Sequence, residues 1–511
     1  MKHYTRTLSL FLFISFAFSQ TQLGSDIDGE AQGDYSGWSV SMNSAGDRVA
    51  IGAANNAGTG SNAGHVRIYE YSNSSWTQLG SDIDGEAQGD YSGTSVSMNS
   101  AGDRVAIGAE NNDGTASNAG HVRVYEYSNS SWTQLGSDID GEAQGDWSGN
   151  SVSMNSAGDR VAIGALFNGG TGTDAGHVRI YEYSNSSWTQ LGSDIDGEAA
   201  NDRSSYSVSM NSAGDRVAIG ARRNDGTASD AGHVRIYEYS NSSWTQLGSD
   251  IDGEAANDFY GNSVSMNSAG DRVAIGAANN AGTGSNAGHV RIYEYSNSSW
   301  TQLGSDIDGE AASDFSGTSV SMNSAGDRVA IGATDNDGTA SDAGHVRIYE
   351  YSNSSWTQLG SDIDGEAAND WSGTSVSMNS AGDRVAIGAL LNDGTASNAG
   401  HVRVYSLAEL FIDSQQLLPD KFTLDQNYPN PFNPITTLRY ELPENGLVNI
   451  TIYDMVGRQV KTLVNQRQDA GYRSIIWDAT NDNGKPVSAG IYIYQIQAGG
   501  NMQTKKMVLL K

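Results

Sequence analysis

The phrase Thr-Gln-Leu-Gly-Ser-Asp-Ile-Asp-Gly-Glu begins at Thr21, Thr77, Thr133, Thr189, Thr245, Thr301 and Thr357, every 56 residues and with no insertion or deletion. A fixed period of this size means a propeller, solenoid or array of one supersecondary unit. It also limits chemistry, because seven copies of one unit supply sameness where an active site needs difference.

Within one unit, four stretches alternate small or apolar with polar residues, the period of a pleated strand. They are Ser39–Met42, Arg48–Ile51, His65–Tyr71 and Thr77–Leu79 with Trp76 before it. Asn43–Asp47 and Ser72–Ser75 carry the Asn, Asp, Gly and Ser chemistry of tight turns. No segment of the unit shows a helical period. Four strands per unit make a propeller blade, and seven units fall within the usual blade number. The array opens on Thr21-Gln22-Leu23-Gly24, the strand that elsewhere follows the tryptophan. The seventh unit departs after Val404-Tyr405, with Ser406 where Glu70 stands in the first. The N-terminal strand is therefore expected to complete the seventh blade and close the ring, removing two unpaired edges. The expected fold is all-β: a seven-bladed β-propeller over residues 20–412, a linker at 413–420, and a small Ig-like β-sandwich over 421–511.

The units resemble the FG-GAP repeats of integrin α-chain propellers and their bacterial relatives. The phrases that carry this in the first unit are Ser36-Gly37-Trp38-Ser39-Val40, Arg48-Val49-Ala50-Ile51-Gly52-Ala53 and Gly64-His65-Val66-Arg67-Ile68-Tyr69. The family's Phe-Gly is Ser-Gly here, or Tyr-Gly at Tyr260. Its calcium loop is replaced by Asn43–Asp47, which offers one carboxylate where Ca²⁺ wants several oxygen ligands. Calcium binding is not expected in that loop.

All six prolines lie at or beyond Pro419, and no lysine occurs between Lys2 and Lys421, which marks a boundary near residue 415. Formal net charge is −31, concentrated in the repeats. Such acidity argues against nucleic acid or an anionic membrane as partner, since both need basic patches. Extracellular solubility is the simpler explanation. Residues 1–19 read as a secretory signal peptide: Lys2 and Arg6, an apolar run Leu8–Phe18 too short to span a bilayer, and small residues before a cut at Gln20. No transmembrane segment is expected in the mature chain. With no cysteine, stability must come from packing, with no help from disulfides. Asn73-Ser74-Ser75 and its equivalents match a glycosylation sequon, and a simple turn is the expectation for them.

The C-terminal segment shows strand patterns at Thr437–Leu442, Val448–Asp454, Gly471–Trp477, Gly490–Gln497 and Gln503–Leu510. It resembles the type A C-terminal sorting domain of the bacterial type IX secretion system. The residues that carry the resemblance are Asn427–Pro434, Ile452–Arg458, Ala489–Tyr492 and the ending Lys505–Lys511. The resemblance implies export across an outer membrane by that machinery, to a secreted or cell-surface location. The competing reading is an Ig-like module that stays attached.

Candidate chemistry is sparse. His65, His121, His177, His233, His289, His345 and His401 recur at one position, on a strand expected to lie third from the axis, and a structural role is expected. No blade departs from the rest in a way that would make a catalytic set, so no enzyme and no cofactor are expected. Asp26, Asp28, Glu30 and Asp34 crowd into nine residues of each unit. That oxygen density would suit Ca²⁺, but the spacing lacks an EF-hand loop, and a solvated acidic turn is the expectation.

The copies differ mainly in two loops. After Gly52-Ala53 and its equivalents the pairs are Ala54-Asn55, Glu110-Asn111, Leu166-Phe167, Arg222-Arg223, Ala278-Asn279, Thr334-Asp335 and Leu390-Leu391. Ahead of the first strand stand Trp38, Thr94, Asn150, Tyr206, Asn262, Thr318 and Thr374. In a four-stranded blade both loops lie on one face, and the unchanging turns lie on the other. Loops tolerate change, and the first and fifth units share the loop Ala54–Gly64 by duplication, yet the opposite turns have not varied. The expected function is recognition or adhesion through this face, with a glycan or protein ligand. Candidate contacts are Trp38, Glu110, Leu166, Phe167, Tyr206, Arg222, Arg223, Tyr260, Asp335, Leu390 and Leu391. Aromatics at Tyr35, Tyr91, Trp147, Phe259, Phe315 and Trp371, with Arg203 as the exception, suit packing between blades more than sugar stacking. A structural surface-layer or matrix component without a discrete ligand is the first alternative. A propeller polysaccharide lyase or glycosidase is the second, and it lacks the clustered carboxylate pair it would need.

Overall fold

A computed structural model describes residues 17–410, 421–468 and 470–510. Most of the expected signal peptide, the linker at 413–420 and Lys511 lie outside the described residues. The chain divides into two compact units, Phe18–Glu409 and a second built from Leu410 onward.

The first unit is a succession of seven antiparallel sheets, one per repeat, and its architecture fits a propeller. In the first repeat the strands are Ser39–Met42, Arg48–Ala53, His65–Ser72 and Ser75–Gln78. A fifth, two-residue strand, Ile83–Asp84, pairs with the start of the third. Sequence patterning misses it because two residues show no period. The outer edge is thus split, and Leu79–Asp82 bows out between its two halves.

Alternation along each strand decides what packs where. Val49 and Ile51 point to one side of the sheet, while Ala50, Val66 and Ile68 point to the other. Ala50, Val66 and Ile68 form one buried cluster with Val96, Met98, Val105 and Ile107 of the second repeat. Val49 and Ile51 cluster with Ala386, Val402 and Val404 of the seventh, together with Ile27 from the N-terminal strand. Each sheet is therefore apolar on both sides, as a blade between two neighbours must be. Burying such surface yields about 25 cal/mol per Å².

The first strands approach closely because their next-unit side carries only serine. Ser39 Oγ donates to the Gly93 carbonyl at 2.7 Å, and Ser41 Oγ accepts from the Met98 amide at 2.9 Å. The close approach also needs Gly52, where a Cβ would lie 2.1 Å from the Gly93 oxygen. Ser41, Met42, Asn43, Ser44 and their equivalents line one cavity of about 220 Å³. Around it, Ser44 donates its amide to Ser100, Ser100 to Ser156, and so on to Ser324 and Ser380; Ser380 donates to Ser44 at 3.3 Å. The N-terminal strand Ala17–Gln22 pairs with His401–Leu410, and Ile27–Asp28 pairs with the same strand at Val402 and His401.

The second unit holds two sheets over one core. A three-stranded sheet comprises Thr423–Leu424, Thr436–Leu442 and Gly471–Trp477, and a four-stranded one Gly446–Asp454, Gln459–Gln468, Gly490–Ala498 and Asn501–Leu509. Gln459–Gln468 was not anticipated, because its polar run Asn465–Gln468 hides the alternation. Trp477, Tyr494, Phe432 and Ile450 fill the core. The motif Asn427–Pro434 is part of that core: Asn427 donates to Thr436 Oγ1 at 2.9 Å, and Phe432 exchanges backbone bonds with Val508 and Leu510.

Candidate functional site

Strand direction sorts the loops by face. The turn at Asn43–Asp47 and the turn after Ser72 share one end of the sheet, where Tyr71 donates its amide to the Asp47 carbonyl. The variable loop 54–64 and the entry loop 85–94 share the other end, joined by the Gly64–Ser92 bridge and by Asn62 Nδ2 to Tyr91 Oη at 3.1 Å. The entry loop spans two repeats. The Asp90 carboxylate caps the Ala87 amide and accepts from Asn112 of the following repeat.

This resolves the acidic cluster. Asp34 is buried and plays the same capping role, accepting from the Ala31 amide and Asn56 Nδ2. Asp26 and Glu30 do not converge. Asp26 joins Glu366 and His401, while Glu30 joins His65 and Asp82. Although they alternate along the chain, they reach into successive repeats, with Gly29 between them packed too closely on the Ala399 carbonyl to admit a Cβ. Within each Glu–His–Asp group an arginine already faces the glutamate, as Arg67 faces Glu30 at 3.4 Å. That guanidinium supplies the positive charge a cation would bring. The histidines are buried on the third strand, away from the central cavity, and burial pushes their pKa down, to about 4 for His121, His233, His345 and His401.

Not every candidate contact is available to a ligand. Tyr260 is 1% exposed, wedged edge-on against His289 with ring centroids 6.1 Å apart. It also redirects Arg291. In the other repeats the equivalent arginine donates to a backbone carbonyl, as Arg67 does to Asp28; Arg291 instead takes Asp306 in a bidentate pair at 2.9 and 2.8 Å. Leu166 and Leu390 are also buried, at 4% and 6%, because at the first position of the pair an apolar side chain turns inward, whereas Glu110 and Arg222 there stay half-buried. Tyr260, Leu166 and Leu390 are corrected to packing residues. Trp38 is exposed, and Phe167, Tyr206, Arg222, Arg223, Asp335 and Leu391 are half-buried on the loop face. Glu110 is half-buried as well and accepts from Asn150 Nδ2 at 2.8 Å, with burial raising its carboxyl pKa.

Seven half-buried residues, Trp147, Phe167, Arg203, Tyr206, Arg222, Arg223 and Phe259, converge across the third, fourth and fifth repeats. Trp147 meets Phe167 edge-on with centroids 4.6 Å apart, and Arg203 stands over the Phe167 ring at 4.9 Å. Arg222 stacks 3.6 Å from the Tyr206 ring centroid, and both Arg222 and Arg223 approach Phe259, at 5.8 and 5.9 Å. Arg222 also donates to Asn262 Oδ1 at 3.3 Å. At the aromatic position, Phe259 meets Arg222 and Arg223 of the preceding repeat, Trp147 meets Phe167 of its own repeat, and Arg203 stands over Phe167 of the preceding repeat. Sequence reasoning set Arg203 aside as an exception. The available signal was that it falls beside the only Arg-Arg pair in the variable loops.

Seven repeated sheets and a C-terminal β domain define an exported all-β repeat protein. Residues 426–510 match the family of secretion system C-terminal sorting domains. The domain marks the chain for export by the type IX machinery to the cell surface or extracellular space. Among the described residues no helix is long and apolar enough to cross a membrane. Comparison with curated proteins returns no match. The chain is similar to the solved structure of U3-55K (TM-score 0.46, 11% identity, 76% of this chain and 98% of that one). The chain is also similar to PorZ, a surface component of the type IX secretion system of Porphyromonas gingivalis (TM-score 0.38, 11% identity, 94% of this chain and 60% of that one). Likenesses this remote carry no argument about activity.

Proposed function

We propose that this protein is a non-catalytic binding or adhesion module of the bacterial surface, recognising a glycan or protein ligand through the variable loop face of a closed, FG-GAP-like seven-bladed propeller. Closure is supported by the pairing of Ala17–Gln22 with the seventh repeat and by the serine amide circuit. The observation that carries the function is the segregation of difference. The turn Asn43–Asp47 is the same in all seven repeats and the turn after Ser72 in the first six, while the loops on the other face present Trp38, Glu110, Phe167, Arg222 and Asp335. Loops held by a rigid scaffold are where binding residues collect. A second reading, a structural surface component without a discrete ligand, is favoured by the near-identity of the repeats.

The test is an array of glycans and surface proteins probed with the full mature chain. Binding lost in a variant carrying alanine at Trp38, Phe167, Arg222 and Arg223, and kept in one altered at Asn73 and Ser74, supports recognition by the variable face. Binding lost only in the second variant, or none at all, moves the assignment to the structural component.

A further inference from the structure

The repeats contain seventeen arginines. Thirteen of them pair with a carboxylate, in the pattern of Arg48 with Glu70 or Arg67 with Glu30, and Arg384 of the seventh repeat is held by the Gly46 carbonyl at 2.9 Å and the Tyr71 ring. Arg203, Arg222 and Arg223 differ. Among the described residues none of them forms an ion pair, and the Nε of each is buried without a hydrogen-bond partner, as it is also in the ion-paired Arg347 and Arg403. They lie close enough to repel one another, and burial together with that repulsion lowers the pKa of Arg222. Three adjacent unpaired guanidiniums in a chain of net charge −31 are a cost to the free protein that a bound anion would remove.

A second, independent observation falls at the same place. Six repeats put glycine at the left-handed position ahead of the first strand, as at Gly93 with φ +91°; the fourth repeat has Ser205 there, at φ +78°. A side chain in that conformation is strained, and such strain persists and collects at ligand sites. Ser205 directly precedes Tyr206, the ring on which Arg222 stacks.

We infer that the cluster Arg203, Tyr206, Arg222 and Arg223 is an anion subsite for an oligosaccharide that carries an isolated carboxylate or sulfate. The inference rests on the variable face being the binding face. The contacts with Tyr206 and Phe167 hold Arg222 and Arg203 in place, and with Nε buried it is their terminal Nη groups that would donate to a planar or tetrahedral oxyanion. Trp147 and Phe259 flank the cluster and hold its side chains in place, Trp147 against Phe167 and Phe259 against Arg222 and Arg223. An isolated charge fits better than a polyanion, because the acidic repeats to either side would repel a long run of negative charge.

The test is calorimetric titration of the full mature chain with three oligosaccharides of equal length: a xylo-oligosaccharide bearing one uronic acid, an agaro-oligosaccharide bearing one sulfate, and neutral xylotetraose. Binding of a charged probe about tenfold or more tighter than the neutral one, with that advantage lost in R222Q and in R223Q, is the expected result. The first two probes tell carboxylate from sulfate. R384Q, on the opposite face, should keep full affinity, and unchanged thermal melting of R223Q shows that loss is not unfolding. Equal binding of charged and neutral probes, abolished by Phe167→Ala and Trp38→Ala, overturns the anion subsite and leaves the variable-face reading standing. No binding of any probe, or tight binding only of a phosphopeptide control, overturns the subsite, and the array experiment then decides the face.

Discussion

Ser380 donates its backbone amide to the carbonyl of Ser44, 336 residues earlier in the chain, as one link in a circuit that runs through all seven repeats. The same seam joins Ile27 to Val402 by strand pairing and by shared burial. Stability of the repeats therefore depends on the first few residues after the expected signal cut. A chain beginning at Gly29 should melt well below one beginning at Gln20 and should aggregate through the exposed edge of His401–Leu410. Ile27→Ala alone should cost about 2–5 kcal/mol in chemical denaturation. Equal melting of the two chains would mean that the repeats do not depend on this seam.

Gly52 is a point of close approach between the first two sheets. A Cβ there would meet the Gly93 oxygen at 2.1 Å and Ser39 Oγ at 2.4 Å, and the Gly93 oxygen is backbone that cannot swing away. Gly52→Ala should destabilise by about 1–3 kcal/mol, as overpacking does. Guanidinium melts of wild type and variant measure this, and a neutral effect would show that the sheets slide apart at no cost.

The strand pattern and the faces were legible in the sequence because every repeat states them again, and alternation at Ser39–Met42 and Arg48–Ala53 fixes which side chains meet. Ile83–Asp84 was not legible, because two residues show no period and its pairing with Val66 is a tertiary choice. Convergence of the acids failed for a related reason. Asp26 and Glu30 alternate along the chain yet reach into successive repeats, with Gly29 between them packed closely on the Ala399 carbonyl of the seventh repeat. At the candidate site, residue types showed where difference lies but not depth. Nothing in the pair Leu390-Leu391 says that the first is buried and the second half-exposed.

Ser205 offers a stabilising change. Six sister positions are glycine at φ between +84° and +91°, and Ser205 holds +78° with a side chain that glycine lacks. Ser205→Gly should raise stability by about 1 kcal/mol in urea melts. If the serine is kept for the site, the same change should weaken binding at Tyr206 and Arg222. Lower stability in the glycine variant would show that the serine side chain contributes packing that outweighs the strain.

Tyr260 has a built-in control, since the other six repeats place serine at its position. Removing a buried aromatic ordinarily costs about 3–5 kcal/mol through the cavity it leaves. Tyr260→Ser should cost less, because the fifth repeat can collapse to the arrangement its sisters use. Arg291 should then leave Asp306 and donate to the Asp252 carbonyl, as Arg235 does to Asp196 at 2.8 Å. A crystal structure of the variant checks this directly, and an empty cavity with Arg291 still on Asp306 would refute it.

Acid should loosen the repeats through their histidines. In the unfolded chain these titrate near 6.5; in the folded protein burial, aided by an arginine two residues on, holds His121, His233, His345 and His401 near 4. Asp138, Asp90 and the Glu86 carboxylate face His121 and oppose the shift without cancelling it. The folded state therefore binds fewer protons than the unfolded state between pH 6.5 and 4. Stability is full above that window and falls as pH drops through it, by at most about 1.4 kcal/mol per pH unit for each histidine. Thermal melts from pH 7.5 to 4 should show a steep decline that begins near 6.5, above the range where ordinary carboxylates titrate. His121→Gln should make that decline shallower while costing little at pH 7.5, where the imidazole is already neutral. A melting temperature that holds level from pH 6.5 to 5 would show that the histidines stay protonated inside the fold, paired with Asp82 and its equivalents.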